Sequence, residues 1–257
     1  MLNFRNTNIF VIILFVAAIG YHITYGLSWM IYLVIFIAYT LLLFYGSYFV
    51  FSDFFLKVIC AADTDKKEIA ISFDDGPAAD YTPEILSLLK QYQVEAAFFC
   101  IGSRIAGNEN LLMQLQEEGH VIGNHSYSHH FWFDLFSAKK MLADLQRMDI
   151  AVKDVTGSVP RMFRPPYGVT NPNLRKAIQA GNYIPVGWNV RSMDTVIKDP
   201  AKLLNKVLKA LKPGAILLFH DTSKTTLAIL PAFLKQAGDK GYKIIRLDKL
   251  LKLKAYA

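Results

Sequence analysis

Acidic and basic side chains are missing from a long stretch near the beginning of this 257-residue chain. From Asn6 to Ser52 the sequence contains no Asp, Glu, Lys or Arg, and 53% of the whole chain is hydrophobic. A soluble domain carries charged residues over most of its surface, so this composition excludes a plain soluble protein. The sequence also has no internal repeat and no low-complexity segment.

Cysteine is scarce as well. Cys60 and Cys100 are the two cysteines of the chain, which is too few for a disulfide framework and does not assign a compartment. Cys100 lies in an apolar, strand-like run, where we expect a small buried thiol. No motif for nucleic-acid binding is present, so we predict no nucleic-acid partner.

The uncharged stretch divides into two apolar segments. The first runs from residue 8 to between residues 20 and 27, and the second from residue 29 to about residue 51. Each is close to the ~20 residues with which a helix crosses a bilayer, so we predict a transmembrane hairpin within residues 1–55. A cleaved signal peptide fits less well, because only one Arg precedes the stretch, the stretch is too long, and no small-residue cleavage site precedes the globular part.

The basic residues that flank the hairpin bear on its orientation. Arg5 precedes it, and Lys57, Lys66 and Lys67 follow it, whereas the loop between the two apolar segments has no Lys or Arg. The positive-inside rule then places both ends in the cytoplasm. Long domains can override that rule, so we predict a multi-pass protein of the cell membrane and leave the side of the globular part open.

The remainder of the chain is basic. All 21 acidic residues and 27 of the 28 basic residues follow Ser52, a formal charge of +6. This excess is interpreted either as attraction to an anionic lipid or glycan or as a solvated helix face. The second interpretation suits the spacing of the lysines at positions 198, 202, 206, 209 and 212.

Strand-like apolar runs alternate with helical patterns through the globular part. Glu68–Phe73 is a predicted strand and Pro83–Tyr92 a predicted helix, and this order repeats to the end of the chain. Strict alternation of this kind predicts an α/β domain whose parallel sheet is covered by helices. Since about seven strands fall within residues 63–257, we predict a distorted (β/α)7 barrel, smaller than the usual eightfold (TIM) form.

Polar residues capable of chemistry follow the predicted strands. They are Asp74, His125, Arg164, Asp194 and His220. In a barrel the carboxyl ends of the strands meet at one mouth, so we expect these side chains to lie together.

Two of the motifs predict a metal site. Asp74 and Asp75 are adjacent at a strand end, where they would repel each other without a cation. His125 and His129 are spaced so that a helical turn would put both rings on one face, although two histidines alone are also common on a surface. One carboxylate and two imidazoles make a three-ligand set typical of Zn²⁺, and a second carboxylate beside it is a natural general base. The pattern predicts metal-assisted hydrolysis.

Two further segments add polar groups to the same mouth. Arg164-Pro-Pro-Tyr-Gly168 is a stiff loop that could aim a backbone N–H at a developing oxyanion, while Arg164 holds a carboxylate. An ordinary proline-rich turn is the alternative. Leu217-Leu-Phe-His220-Asp221 ends an apolar strand in a histidine, which is either a core or capping residue or a proton donor to a leaving amine.

Taken in order, these motifs resemble those of the polysaccharide deacetylases, also called the NodB-homology family or carbohydrate esterase family four. The resemblance rests on Ser72-Phe-Asp-Asp75, His125-Ser-x-x-His129, Arg164-Pro-Pro-Tyr-Gly168, Asp194 and Leu218-x-His220, and it covers about residues 67–251. It implies a zinc-type divalent metal held by Asp75, His125 and His129.

The resemblance also implies roles for the other residues. Asp74 would be the general base, oriented by Arg164, and His220 the general acid, supported by Asp194. The backbone N–H of Tyr167 would stabilise the oxyanion, and Leu218 would line the pocket for the acyl methyl group.

The chain departs from the family pattern at two positions. Thr195 follows Asp194 where the family commonly has Trp, and Arg191 stands where an acidic residue is frequent. Both changes leave the metal chemistry intact and put a chitin-like or peptidoglycan-like subsite in doubt. The aromatic segment Phe131–Phe136 is open to interpretation as core, sugar-stacking wall or lipid contact.

Three functions follow from these observations. The leading hypothesis is a membrane-anchored, metal-dependent deacylase that removes N-acetyl groups from the amino sugars of a polysaccharide or glycan. A second is a deacylase or deformylase of a lipid-linked amino sugar at the bilayer. A third is a catalytically degenerate barrel that binds glycans without hydrolysing them.

Overall fold

The computed structural model describes residues 2–257, and it begins with two long helices. Helix α1 spans Phe4–Tyr25 and α2 spans Trp29–Tyr48, each started by a polar cap, Asn3 and Ser28 respectively. Both are long and apolar enough to be candidate membrane spans, although a signal sequence near the N-terminus passes the same test. The two predicted apolar segments are therefore helices, with ends within a few residues of those predicted.

The two helices form an antiparallel pair held by few polar contacts. The Tyr39 hydroxyl donates to Asn8 Oδ1 at 2.8 Å, and the Tyr32 hydroxyl donates to the Ala18 carbonyl at 3.2 Å. Most of their apolar side chains face outward, such as Phe10 at 65% and Ile23 at 79% exposure. A contiguous apolar surface of this size calls for a covering environment such as lipid.

The rest of the chain alternates strands and helices as predicted. The strands are β1 Glu68–Asp74, β2 Ala97–Cys100, β3 Val121–Asn124, β4 Met162–Phe163, β5 Ile184–Pro185, β6 Val190–Arg191, β7 Ile216–His220 and β8 Lys243–Ile244. The helices are α3 Thr82–Gln91, α4 Glu109–Glu117, α5 Ala138–Thr156, α6 Pro172–Gly181, α7 Pro200–Lys209, α8 Lys224–Asp239 and α9 Leu247–Leu251.

All the strand pairs are parallel, in the order β5-β4-β3-β2-β1-β7-β6, with β8 also paired to β1. Six of the seven residues of β1 are buried, because helices cover one face of the sheet and the barrel interior the other. The main core cluster lies between the sheet and helices α3, α4, α5, α7 and α8. The parallel α/β class is confirmed.

A closed barrel is not formed among the described residues, since β5 and β6 are the unpaired ends of the strand order. The structure is an open half-barrel. Residues 184–191 contain two short strands, β5 and β6, which are separated by Val186–Asn189. The carbonyls of Val186 and Gly187 turn towards the buried Arg164 guanidinium and accept its hydrogen bonds at 3.2 and 2.9 Å. They therefore do not accept hydrogen bonds from a neighbouring strand.

The segment after the hairpin lies against this open side. Ile59 pairs with Val186 next to β5, and Ala61 lies opposite Ala215 next to β7. The Ile59 N–H donates to the Pro185 carbonyl at 3.0 Å. The domain bounds 1–55 and 63–257 stay predictions, and residues 59–62 pack as part of the sheet.

We predict that the full-length chain stays with membranes after carbonate extraction, because lipid would cover the outward-facing apolar surface of α1 and α2. A chain that begins at Asp63 is expected to be soluble and to retain its metal, but to unfold at a lower temperature than one that begins at Asp53. The difference arises from the lost pairing of Ile59 with Val186 and from the lost burial of apolar side chains such as Phe54 and Val58. Recovery of the full-length protein in the carbonate supernatant would show that the hairpin is not a membrane anchor.

Candidate active site and metal centre

Two adjacent carboxylates leave the end of β1 in different directions. Asp74 is the last residue of the strand and is buried, whereas a quarter of the Asp75 side chain is exposed. Asp75 has a positive φ of 78°, which is unfavourable for a residue other than glycine. Its backbone is held there by the Arg104 guanidinium, which donates to the Asp75 carbonyl at 2.5 Å.

His125 and His129 lie in the loop that follows β3. The centres of their rings are 4.9 Å apart, so the two imidazoles lie side by side, but the predicted helical turn between them is wrong. Ser126 and His129 both have positive φ, 66° and 41°. The irregular loop is stabilised by its own polar contacts: the His129 N–H donates to Ser126 Oγ at 2.9 Å and the Tyr127 N–H donates to Asp144 at 2.8 Å.

The donor atoms of Asp75, His125 and His129 lie within 4.8 Å of one another. Asp75 Oδ1 is 3.6 Å from His125 Nε2 and 3.5 Å from His129 Nε2. Zinc–ligand bonds of 2.0–2.2 Å place the ligand atoms of a tetrahedral site roughly 3.4 Å apart, so the set fits a divalent metal of that kind.

The orientation of His125 and the pKa of His129 also suit a metal. The His125 Nδ1 lies 2.8 Å from the Arg164 carbonyl, a contact that directs Nε2 towards Asp75 and orients the ring. Burial, and secondarily His125, lowers the pKa of His129 to about 4. A neutral ring offers the lone pair that coordination requires.

Arg164 connects Asp74 to the barrel interior. Its guanidinium is fully buried and donates to Asp74 Oδ1 at 2.7 Å and to Ser72 Oγ at 2.8 Å. It also lies 4.0 Å from the centre of the Phe99 ring. Burial lowers the pKa of Arg164 from its ordinary value and the Asp74 carboxylate opposes that effect, so the two groups are stable inside the protein only as a pair.

We predict that Arg164→Leu lowers the free energy of unfolding by about 3–5 kcal/mol, since it leaves Asp74 buried and unpaired. Denaturant titration measures the loss. Arg164→Lys keeps the charge but lacks the planar guanidinium, so we expect an intermediate loss in the free energy of unfolding. Adding Asp74→Asn to Arg164→Leu should restore part of the stability, and the absence of any recovery would contradict the pairing.

A second polar pair lies across the mouth. Asp74 and His220 are register partners on the neighbouring strands β1 and β7, whose backbones lie roughly 4.8 Å apart. His220 Nδ1 is 2.7 Å from Asp194 Oδ1, and Asp194 Oδ2 accepts from the His220 N–H at 2.7 Å and from the Thr226 hydroxyl. Asp194 therefore fixes the ring with its other nitrogen available to the cavity.

The charges of this pair stabilise each other. Burial by itself raises the pKa of Asp194, but the hydrogen bonds from His220 and Thr226 bring it below the ordinary value. Burial likewise lowers the pKa of His220, and the contact with Asp194 outweighs that effect, so the pKa is raised above 6.5. His220 is thus suited to hold a proton near neutral pH.

Tyr167 and Leu218 complete the cavity. Tyr167 has a positive φ of 59° within the short 3₁₀ turn Pro166–Gly168, and its ring lies 4.8 Å from that of His129. The cavity has a volume of about 210 Å³, and its lining residues include Asp74, Asp75, His125, His129, Tyr167, Leu218 and His220. The structure therefore brings the predicted site residues into one place, with Arg164 and Asp194 directly behind.

Positive φ values concentrate at this site. Asp75, Ser126, His129 and Tyr167 are all in the left-handed region. Such backbone conformations cost about 1–3 kcal/mol each and persist where the surroundings enforce them, commonly at functional sites.

One further buried group was missed by the sequence analysis. Asp221 accepts from the Thr82 hydroxyl at 2.6 Å, and its Oδ1 has no hydrogen-bond partner among the described residues. Burial raises its pKa to about 7. It lies beneath the turn after Asp75, where a Cβ on Gly76 would collide with it. In the sequence, only its position next to His220 indicated that Asp221 lies near the site.

Comparison with known proteins shows the family of this chain. The family described as polysaccharide deacetylase matches residues 61–186. A peptidoglycan-N-acetylglucosamine deacetylase of Bacillus cereus is 35% identical over 199 residues, which cover 74% of this chain and 91% of that protein. The chain belongs to the polysaccharide deacetylase family.

Other polysaccharide deacetylases extend the comparison. The peptidoglycan-N-acetylglucosamine deacetylase PgdA of Listeria monocytogenes is 36% identical over 185 residues, or 72% of this chain, and the match spans 39% of the Listeria protein. The crystal structure of the Bc1960 peptidoglycan N-acetylglucosamine deacetylase has a TM-score of 0.74 at 28% identity, covering 78% of this chain and 95% of that one. The half-barrel is therefore shared with a solved structure of this family.

Proposed function

We propose that this polysaccharide deacetylase is a membrane-anchored, metal-dependent hydrolase that removes N-acetyl groups from the amino sugars of a glycan. One observation carries the proposal: the donor atoms of Asp75, His125 and His129 converge beside Asp74 and opposite His220. Similarity to peptidoglycan-N-acetylglucosamine deacetylases supports N-acetylated amino sugars as substrates and favours N-deacetylation over O-deacetylation.

The metal that we propose for this site is a divalent ion, most simply Zn²⁺, held by Asp75, His125 and His129. When bound, such an ion supplies a Lewis acid that polarises the amide carbonyl and lowers the pKa of water. An intact donor set argues against a degenerate barrel that only binds glycans.

The chain's own residues would divide the proton transfers. Asp74 presents Oδ2 on the cavity side while Arg164 holds Oδ1, so it can take a proton from the attacking water. His220, kept protonated by Asp194, gives a proton to the departing amine. The backbone N–H of Tyr167, whose strained turn lies at the cavity wall, would donate to the oxyanion. Leu218 would border the acetyl methyl group.

Mass spectrometry of the purified full-length protein with N-acetylated oligosaccharides tests this function. We expect loss of acetyl groups and release of acetate, abolished by a chelator and restored by adding back a divalent metal. A metal-loaded protein that binds N-acetylated glycans, soluble or lipid-linked, but leaves all of them acetylated would establish the degenerate, glycan-binding alternative.

The pH profile should report on His220. Because its pKa is raised above 6.5, the protonated acid persists into neutral solution and activity is expected to fall as pH rises through that pKa. Asp194→Asn removes the group that raises it, so the basic limb of kcat/KM should move to lower pH. If the basic limb of both Asp194→Asn and His220→Ala were the same as that of the wild type, His220 would be excluded as the acid.

A further inference from the structure

A second cavity adjoins the proposed active site. It has a volume of about 240 Å³ and is lined by Tyr48, Phe49, Val50, Phe51, Trp188, Asn189 and Arg191. Trp188 and Arg191 also line the active-site cavity, so the two cavities share one wall. Apart from Asn189, the other lining residues are those at which α2 ends, with Tyr48 and Phe51 both largely exposed.

Hydrogen bonds fix the end of α2 to the active-site loop. The Thr170 N–H donates to the Ser47 carbonyl at 3.1 Å, and the Thr170 hydroxyl donates to the Gly46 carbonyl at 3.0 Å. Thr170 follows Tyr167 by three residues. Val50 packs in the same core cluster as Phe163 and against Trp188. The active-site mouth is therefore held at the end of the apolar hairpin, where a bilayer surface would lie.

The shared wall carries an unused positive charge. Arg191 is exposed, and within residues 2–257 its guanidinium makes no ion pair at 4.0 Å or less. It lies 5.8 Å from the centre of the Trp188 ring. The Lys206 ammonium donates to the Arg191 carbonyl at 2.8 Å, which brings a second cation to the same edge. An arginine in this setting suits a phosphate, whereas a neutral glycan offers it no opposite charge.

The size of the active-site cavity limits what enters it. At about 210 Å³ it is smaller than the roughly 300–1,000 Å³ of common ligand pockets. Thr195 lines it in place of a larger side chain, so no aromatic wall extends it on that side. One acylated sugar fits within this cavity, and the rest of the substrate must lie outside it.

We propose that the substrate is a lipid-linked amino sugar whose sugar is joined to its lipid through phosphate. The acylated sugar occupies the active-site cavity, Arg191 binds the phosphate, and the first part of the lipid chain lies along Trp188 and Tyr48–Phe51 before it enters the bilayer beside α2. In the reaction water adds to the amide carbon, the C–N bond breaks, and carboxylate and free amine form. The phosphate linkage is unchanged. This proposal rests on the deacylase function proposed above.

A comparison of three substrates tests it with the full-length protein in mixed micelles. They are N-acetylglucosamine on a polyprenyl phosphate, an N-acetylglucosamine alkyl glycoside that lacks phosphate, and a soluble N-acetylated oligosaccharide. We expect kcat/KM to be highest for the phosphate-linked lipid. Arg191→Ala should lower the ratio of its kcat/KM to that of the alkyl glycoside by about 10-fold or more, the loss expected of a charge-assisted hydrogen bond.

Two variants control the comparison. Arg191→Lys retains a positive charge but lacks the planar guanidinium. It should therefore lower the ratio of the two kcat/KM values by less than Arg191→Ala does. Lys240→Ala removes an exposed charge at the opposite end of the sheet, between α8 and β8, and should leave the ratio unchanged.

The outcomes separate the two proposals. A wild-type protein that prefers the soluble oligosaccharide, or a substrate ratio unmoved by Arg191→Ala, overturns the phosphate-linked lipid while the deacylase function stands. A metal-loaded wild-type protein that deacetylates none of the three overturns both.

Discussion

Asp74→Asn is expected to keep its metal and to lose about 10²–10⁴ in turnover, the usual contribution of a positioned general base. Asp75→Ala is expected to lose metal affinity as well as activity. The reason is geometric: Asp75 Oδ1 lies 3.5–3.6 Å from both imidazole nitrogens, whereas Asp74 Oδ2 is 3.8 Å from His125 Nε2 and its other oxygen is held by Arg164. Elemental analysis and steady-state kinetics on the same preparations measure both effects.

Asn is the appropriate replacement at position 74. It retains an oxygen that can accept from Arg164, so the buried guanidinium keeps a partner and the fold is preserved. Metal loss in Asp74→Asn together with metal retention in Asp75→Ala would reverse the two roles. Wild-type turnover in Asp74→Asn would reject Asp74 as the base.

His125→Ala and His129→Ala are each expected to remove bound metal and activity together. Removing a ligand should weaken metal binding by more than the ~10–100-fold that loss of a group behind a ligand costs. Metal content per chain and residual deacetylation measure the two losses, and added metal should restore activity only in the wild type.

His130→Ala is the matched control for these variants. His130 is adjacent in sequence, but it is exposed and its Nδ1 accepts from the Trp132 N–H at 3.0 Å, outside the ligand set. It should keep both metal and activity. Full metal occupancy in His125→Ala and His129→Ala would refute the ligand assignment.

The fold class and many of the elements were predictable because their signals are local. The burial of β1 on both faces appears in the sequence as a continuous apolar run, and α5 is bounded by Ser137 and Gly157, which cap its two ends. The membrane-like hairpin followed from the missing charges. The predicted distorted barrel is an open half-barrel, because the carbonyls between β5 and β6 bond to Arg164, which is distant in the sequence.

The candidate site shows the same division. The ordered motifs located every proposed metal ligand and proton-transfer group, because the carboxylate of Asp and the imidazole of His can be recognised directly in the sequence. The helical turn over His125–His129 was wrong because Ser126 and Asp144 stabilise a left-handed loop instead. Asp221 was missed because its burial and its unpaired oxygen arise from packing beneath Gly76.

The sequence by itself determined the class of fold, the apolar hairpin, the family and the identities of the reactive groups, because periodicity, missing charge and residue chemistry are properties of the chain. Only the tertiary structure decided that Asp75 rather than Asp74 lies nearest both histidines, that the barrel is open, and that Arg191 and Trp188 connect the active-site cavity to the end of α2. These facts depend on distances between residues far apart in the chain. Such distances are set when the sheet packs against its helices, and no local pattern encodes them.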